Sequence, residues 1–344
     1  MAAGEDIAAG NRQWLLARRP LGMVSESDFE LVERPVPEIG PGEVLARVRW
    51  LSFEPAMRGW MDERESYVAP VEVGAPMRAP GLAEVVASND PDYVAGDVVF
   101  GMMGWSEYVT GRWSAETAGR GYRRVPAGMP AEMLLGPLGS TGMTAYVGLL
   151  DVGRPEPGDT VVVSGAAGAT GSVAAQIARI KGCRVVGIAG GAEKCRWLLT
   201  EARLDAAIDY KNEDLGSRLR RTCPDGVDVY FENVGGAALE AVLDNLAFGA
   251  RIALCGLISG YNDAEARPGP RNLFQLIVRR ASIQGLLLWD FLDRLPEASV
   301  DLRRWVEAGE IAYRVDTQEG FEKIPRTFLR LFSGANEGKQ LLRL

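Results

Sequence analysis

The chain has no histidine in 344 residues. That removes the commonest metal ligand and the usual general acid–base group. It argues against a zinc-dependent alcohol dehydrogenase and against any catalytic triad that uses histidine. A proton moved by this protein must travel on Tyr, a carboxylate, Lys, Cys, a ribose hydroxyl or water. Cysteine is also scarce: Cys183, Cys195, Cys223 and Cys255 form no CxxC pair and resemble no zinc lobe, so they read as reduced, buried thiols. No apolar run reaches the ~18 residues of a membrane span. The opening MAAGEDIAAGN has neither the basic region nor the apolar stretch of a signal peptide, so it reads as a frayed leader on a cytoplasmic protein. Positive charge is in deficit, with a net charge of −8. That disfavours nucleic acid and anionic membranes as partners. It does not exclude an anionic cofactor, because a phosphate site needs only a few local groups.

What is present is a soluble-type composition, 47% hydrophobic and 24% charged, long enough for two domains. One stretch organises it: TVVVSGAAGATGSVAAQIARI, Thr160 to Ile180. Val161–Val163 form a β-branched run. Ser164 to Gly168 form a turn of small residues. Val173, Gln176, Ile177 and Ile180 then recur at helical spacing. Strand, tight turn and helix N-terminus in that order suit a pyrophosphate, because backbone N–H groups and the helix dipole converge on one spot. Gly168 lets backbone approach phosphate, and Gly171 lets the helix pack close to the strand. Ala166 replaces the first glycine of the strict fingerprint, and a lone glycine turn also serves packing alone. The following strand, Arg184–Ala189, completes a βαβ unit and points to dinucleotide binding.

Upstream, residues 12 to about 130 carry short alternating apolar runs between frequent turn signals, the pattern of a barrel-like β domain. The segment EPAMRGWMDERESYVAPVEVGAPM is irregular and reads as a loop over a pocket or a short helix. A helix is expected after Thr141. From Gly158 to Leu288, strands at Val161–Ser164, Arg184–Ala189, Ala206–Tyr210, Val227–Glu232, Ala250–Cys255 and Ile283–Leu288 alternate with helices. Six such strands predict an α/β fold with a doubly wound parallel sheet. The tail predicts a helix near Glu297–Glu307, a strand near Ile311–Val315, a helix near Phe321–Phe332 and an apolar end at Gln340–Leu344, folding back on the N-terminal domain. The loop Ser259–Asn272 is long, polar and rich in Gly and Pro, hence functional or disordered.

An NAD site would place a carboxylate at the end of the second strand to hold the ribose 2′-hydroxyl. Here that place reads Ala189–Gly190–Gly191–Ala192, followed by Glu193 and Lys194. A small turn leaves room for a 2′-phosphate and Lys194 can neutralise it, which favours NADPH. Glu193 turning inward, or a solvated Glu–Lys pair opening a helix, are the competing readings.

Several stretches resemble a known family: MRGWMDERESYV, GMMGWSEYV, LGPLGSTGMTAYVGLLDVG, SGAAGATGSVAAQIARIKGCRVVGIAGGAEK, YFENVGG, ALCGLISGYN, RNLFQLIVRR and GANEGK. The chain is similar, over nearly all its length, to the zinc-free medium-chain dehydrogenase/reductases. The branch is that of leukotriene 12-hydroxydehydrogenase/prostaglandin reductases, plant double-bond reductases and curcumin reductase-like enzymes. The resemblance implies a Rossmann cofactor domain (131–300), a β-rich GroES-like substrate domain (1–130) and a return segment (301–344) completing the latter. It implies that NADPH delivers hydride to the β-carbon of an α,β-unsaturated carbonyl compound and that the enolate is then protonated. It implies a small-molecule substrate and a homodimer, joined through the edge of the nucleotide-binding sheet.

Residue roles are likewise implied by the resemblance. Gly165, Ala167, Gly168, Ala169, Thr170 and Gly171 match the pyrophosphate turn. Lys194 and Tyr210 match the 2′-phosphate contacts, beside Gly190. Asn233, Cys255, Gly256 and Asn336 lie where family members pass the nicotinamide end. Leu286, Leu287 and Leu288 match a strand whose backbone binds the carboxamide. Tyr261 matches a tyrosine beside the nicotinamide ribose and the substrate carbonyl. A tyrosine of ordinary pKa, about 10, is a neutral donor at an enolate oxygen. Tyr261 therefore delivers the proton, directly or through ribose or water, or only orders the loop while solvent delivers it. The chain departs from the family at Ala56, where a pocket tyrosine is usual, and at Ser140–Thr141. Ala56 enlarges that pocket unless Trp60 and Met61 refill it, Tyr67 lines it or merely packs, and a bulky substrate such as a biosynthetic intermediate then fits. Arg58 reads as structural. A quinone reductase on the same fold and a non-catalytic NADPH-binding sensor or scaffold are the alternatives.

Overall fold

The computed structural model describes residues 10–112, 123–126, 128–265 and 268–344. The expected leader falls outside them as far as residue 9, and Ala266 and Arg267 of the long loop lie outside them too. The chain divides into two compact units.

The first unit holds residues to Leu135, then Asp316–Asn336 and Gln340–Leu344. β1 (Gly10–Leu16) and β2 (Phe29–Pro35) form an antiparallel ribbon. The leader therefore ends sooner than MAAGEDIAAGN suggested. Asn11 is already in β1 and buried, exchanging hydrogen bonds with the main chain of Tyr108 at 3.1 and 2.9 Å. β3 (Val44–Ser52), β4 (Arg78–Ser88), β5 (Val98–Gly104), β6 (Tyr108–Gly111) and β7 (Arg123–Arg124) pair antiparallel in one mixed sheet, followed by the short α1 (Ala131–Leu135). The irregular segment between β3 and β4 contains a 3-10 helix, Pro55–Met61, followed by turns and bends.

The second unit holds Gly136–Val315 and Glu337–Lys339. α2 (Ser140–Val147) runs into a π-helical turn at Gly148–Gly153. The chain then alternates through β8 (Thr160–Ser164), α3 (Ala169–Ile180), β9 (Arg184–Ala189), α4 (Ala192–Thr200), β10 (Ala206–Asp209), α5 (Leu215–Thr222), β11 (Val227–Glu232), α6 (Gly236–Leu243) and β12 (Leu246–Leu254). α7 (Phe274–Arg279), β13 (Ser282–Gly285) and α8 (Leu295–Glu307) complete it. The six strands pair in parallel in the order β10-β9-β8-β11-β12-β13. The order reverses between β8 and β11, and ligands of doubly wound sheets bind outside the strand ends at such a switch point. Every residue of β8 is buried, as expected of a strand covered on both faces.

The chain returns through β14 (Val315–Glu319), α9 (Ile324–Ser333) and β15 (Lys339–Arg343), and β15 pairs with β3. α9 brings Phe328 into the aromatic core of the first unit, 5.7 Å from the Trp105 ring centroid.

Ala250–Cys255 is found as Leu246–Leu254 and Val161–Ser164 begins at Thr160; three further expected strands end or begin elsewhere, each for a local reason. Ala206–Tyr210 stops at Asp209, whose side chain closes the next turn. Ile283–Leu288 stops at Gly285, because its neighbour β12 ends at Leu254 and the next N–H groups, on Cys255 and Gly256, turn to the Glu232 carbonyl. Leu288 instead opens a 3-10 helix, Leu288–Arg294. Ile311–Val315 is displaced to Val315–Glu319. The Gln176 side chain occupies the main chain of Ala312, donating to its carbonyl and accepting from its N–H, each at 2.8 Å, which takes the place of a strand ladder. The expected burial of all four thiols holds for Cys183 and Cys223, while Cys195 and Cys255 are partly exposed.

No helix among the described residues is long and apolar enough to cross a membrane. Among them, no group of three or more His, Cys, Asp and Glu side chains is placed to hold a metal ion.

Candidate active site

The glycine turn sits at the C-terminal end of β8. Gly165 has φ +59°, and a Cβ on Gly171 would strike the Gly165 carbonyl, so both positions need glycine. α3 begins at Ala169 with Gly168 as an extended N-cap and no side-chain cap bond. A helix start leaves N–H groups without intrahelical partners. The N–H groups of Ala166 and Gly168 already donate to the Ile188 and Gly165 carbonyls, so the cradle that a pyrophosphate fits is made by the remaining main-chain donors between Gly165 and Gly171, at Ala167 and the α3 start.

Beneath the turn lies a buried polar knot. Ser164 donates its hydroxyl to Glu232 Oε1 at 2.5 Å, and Val234 N–H donates to the same oxygen at 2.6 Å. Asn233 donates its N–H to Ser164 Oγ at 2.8 Å and its side-chain amide to the Ser164 carbonyl at 2.7 Å. Glu232 is fully buried. Burial and the Glu232 charge push the Tyr230 hydroxyl far above its ordinary pKa. This cross-strand pairing fixes Asn233 beside the glycine turn, where a Cβ on Gly165 would lie 3.6 Å from Asn233 Cβ.

The loop after β12 hangs from the same place. Ile258 N–H donates to the Asn233 carbonyl at 3.2 Å and Ser259 N–H to that of Val234 at 3.0 Å. Tyr261 Oη accepts the Leu257 N–H at 3.2 Å. A Cβ on Gly256 would lie 3.1 Å from that hydroxyl and 3.4 Å from the Asn233 carbonyl oxygen. Gly165, Asn233 and the Gly256–Tyr261 loop, from three separate parts of the chain, therefore converge at the switch point. Cys255 adjoins them, its N–H bound to the Glu232 carbonyl. Leu286 N–H donates to Leu254 O at 3.2 Å, so Leu286–Leu288 leave the sheet at this end as a loop and a 3-10 start, not as strand.

A second cluster surrounds the end of β9. A Cβ on Gly190 would lie 2.8 Å from the Tyr210 ring and 2.9 Å from Lys211 Cε. The space an acidic side chain would need there is thus taken by an aromatic ring and a lysine stem. Asp209 fastens both turns, accepting from Asn212 Nδ2 at 2.8 Å, Gly191 N–H at 2.8 Å and Lys211 N–H at 3.1 Å. Those donors, Asn212 first and Gly191 next, hold its carboxyl below the ordinary carboxylate range. Glu193 is exposed, whereas Lys194 lines a recess with Ala167, Trp197, Arg314, Glu337 and Gly338. Cys195 is pushed up to about 11 by burial and by Asp209 and Glu213, so it stays a neutral thiol.

The remaining residues belong to the first unit. Trp60 is buried and donates Nε1–H to Tyr67 Oη at 3.3 Å, with Arg78 above its ring. Ala56 is partly buried against that unit's core, and Tyr67 is 48% exposed. Arg58 is buried and paired with Asp62 at 2.5 Å. Asn336 follows the α9 terminus, directly before the Glu337–Lys339 segment. Sequence reasoning missed Ser164, Glu232, Asp209, Arg314 and Glu337. The glutamate preceding Asn233 in YFENVGG was a visible signal. The Arg314–Glu337 pair spans the chain's return and had none.

Comparison with known proteins gives the family and the fold. Residues 12–117 match a family model described as the N-terminal domain of oxidoreductase, and residues 169–302 one described as zinc-binding dehydrogenase. The chain is 41% identical to the NADPH-dependent curcumin reductase of Escherichia coli over 97% of each chain. It is 40% identical to the NADP(+)-dependent 2-alkenal reductase of Nicotiana tabacum, covering 96% of this chain and 97% of that one. A crystal structure of CurA from Vibrio vulnificus in complex with NADPH superposes with a TM-score of 0.91 at 38% identity, covering 96% of this chain and 98% of that one.

Proposed function

The chain belongs to the zinc-independent medium-chain dehydrogenase/reductases, and from that premise we propose that it is an NADPH-dependent reductase of the C=C bond of α,β-unsaturated carbonyl compounds. One observation carries the reading: the glycine turn, Asn233, Gly256 and Tyr261 meet at the switch point of the sheet. When bound, NADPH supplies a hydride for the β-carbon of the substrate.

The protein's own groups bind, orient and protonate. The main-chain donors from Gly165 to Gly171 hold the pyrophosphate. Lys194 and Tyr210, beside Gly190, hold the 2′-phosphate. Asn233, Cys255, Gly256, Leu286–Leu288 and Asn336 orient the nicotinamide end. Tyr261 donates a hydrogen bond to the carbonyl oxygen as negative charge grows on it. It then delivers the proton, directly or through water. The second unit is the cofactor domain, and the first unit is the substrate domain, with Ala56, Trp60 and Tyr67 as its pocket residues.

The protein acts in the cytoplasm, which its four free cysteines suit. It acts as a homodimer, a reading supported by the exposed apolar edge around α7 and β13. Purified protein is expected to consume NADPH with enones and enals. Absence of consumption across enones, enals and enoyl thioesters would overturn the proposal.

A further inference from the structure

The recess that holds Lys194 contains a second cation that the assignments above leave unused. Arg314 and Glu337 line it together, alongside Ala167 of the glycine turn. Arg314 is anchored at both ends. Its carbonyl accepts the Lys339 N–H at 2.9 Å, and its guanidinium lies 5.4 Å from the centroid of the Trp197 ring. Gly338, φ +73°, would strike the Arg314 carbonyl if it carried a Cβ, and it bridges to Gly168 in parallel. The Glu337–Gly338 backbone is thereby held against the glycine turn.

The side-chain pairing between the two is long. Arg314 Nη1 meets Glu337 Oε2 at 3.4 Å, and the Glu337 side chain is 51% exposed. A half-exposed ion pair of that length contributes little and is broken cheaply. A phosphate monoester carries a charge of about −1.5 to −2 at neutral pH. It outbids one carboxylate for a guanidinium, whose planar fork matches phosphate oxygens. The Trp197 ring packed near it restricts the guanidinium in advance, so less freedom is lost on binding. Glu337 then faces water, and its remaining charge opposes the phosphate across the recess.

We propose that Arg314 is a second cation for the 2′-phosphate of NADPH, beside Lys194, and that Glu337 is the counter-ion which Arg314 exchanges for that phosphate. The pair sets cofactor discrimination and eases release, and the inference rests on the reading that the glycine turn holds NADPH.

The test uses dissociation constants of the full-length protein for NADPH and NADH, with 2′,5′-ADP and 5′-AMP as fragment probes. Arg314→Gln is expected to weaken NADPH and 2′,5′-ADP about tenfold and to leave NADH and 5′-AMP nearly unchanged. Arg314→Lys restores part of the loss. Glu337→Gln moves the other way, tightening NADPH and 2′,5′-ADP about threefold or more and leaving the unphosphorylated probes alone. In the double variant the Glu337→Gln gain disappears. Damage to the fold cannot tighten binding, so the opposite signs separate a phosphate contact from a structural role. The inference is overturned if Glu337→Gln is neutral or weakening. It is overturned equally if Arg314→Gln shifts NADPH and NADH alike, which would mark a pyrophosphate or packing contact. Wild-type protein that binds NADPH no tighter than NADH would instead overturn the cofactor reading beneath it.

Discussion

Tyr261 is the residue on which the chemistry turns. Without histidine, a phenol is the natural neutral donor near a growing enolate charge, and its loop is tied by main-chain bonds to Asn233 and Val234. Tyr261→Phe keeps the ring and removes the hydroxyl. A positioned proton donor contributes about 10²-fold or more to rate, so turnover should fall by that order while the dissociation constant for NADPH changes little. Measuring both separates a proton donor from a residue that orders the cofactor loop. Unchanged turnover would assign protonation to solvent. Candidates of this kind stand out in the sequence where a residue sits in a distinctive run, as Tyr261 does in SGYN and Lys194 does in GGAEK. They were illegible where two strands had to meet first. Ser164 and Glu232 are 68 positions apart and become partners only through the β8–β11 register.

Elements were most legible where local signals agreed. β9 and β11 occupy the expected spans because β-branched runs end there at small or polar turns. The errors arose where one element depends on another's side chains, as when Gln176 displaces the strand expected at Ile311 or when β12 ends and strips β13 of its neighbour. Asp209 shows the same dependence with a measurable consequence. Its carboxylate, tied to Asn212 and Gly191, titrates below the ordinary value of about 3.9. A depressed folded-state pKa stabilises the fold fully above the unfolded value, and that contribution is lost as pH falls through the folded value. Asp209→Asn should therefore cost about 1–3 kcal/mol at neutral pH. The gap in melting temperature between variant and wild type should close below about pH 4. Thermal melts across that range check the sign, and a gap independent of pH would show that the carboxylate's charge contributes nothing.

At the scale of the whole molecule, the parallel sheet ends on an unusual edge. All four residues of β13 are exposed, so its outer N–H and C=O groups lie open, which in soluble proteins invites another strand. Beside it, Phe274 and Ile277 on α7 are 69% and 70% exposed, and Phe248 is 69% exposed. Scattered apolar residues are ordinary on a surface, but apolar residues next to a sheet edge are where the proposed dimer contact fits. A second copy of the same edge offers both needs at once: strand partners for β13 and apolar cover for α7. Ile277→Glu puts a charge among those apolar residues without touching the switch-point residues. Light scattering should give twice the chain mass for wild type at micromolar concentration and the single-chain mass for Ile277→Glu. Equal masses for the two proteins would rule this edge out as the dimer contact. If the variant is monomeric and still binds NADPH with the wild-type constant, the cofactor site is complete within one chain and the dimer acts on stability instead, because the switch-point bonds all lie within the sheet unit.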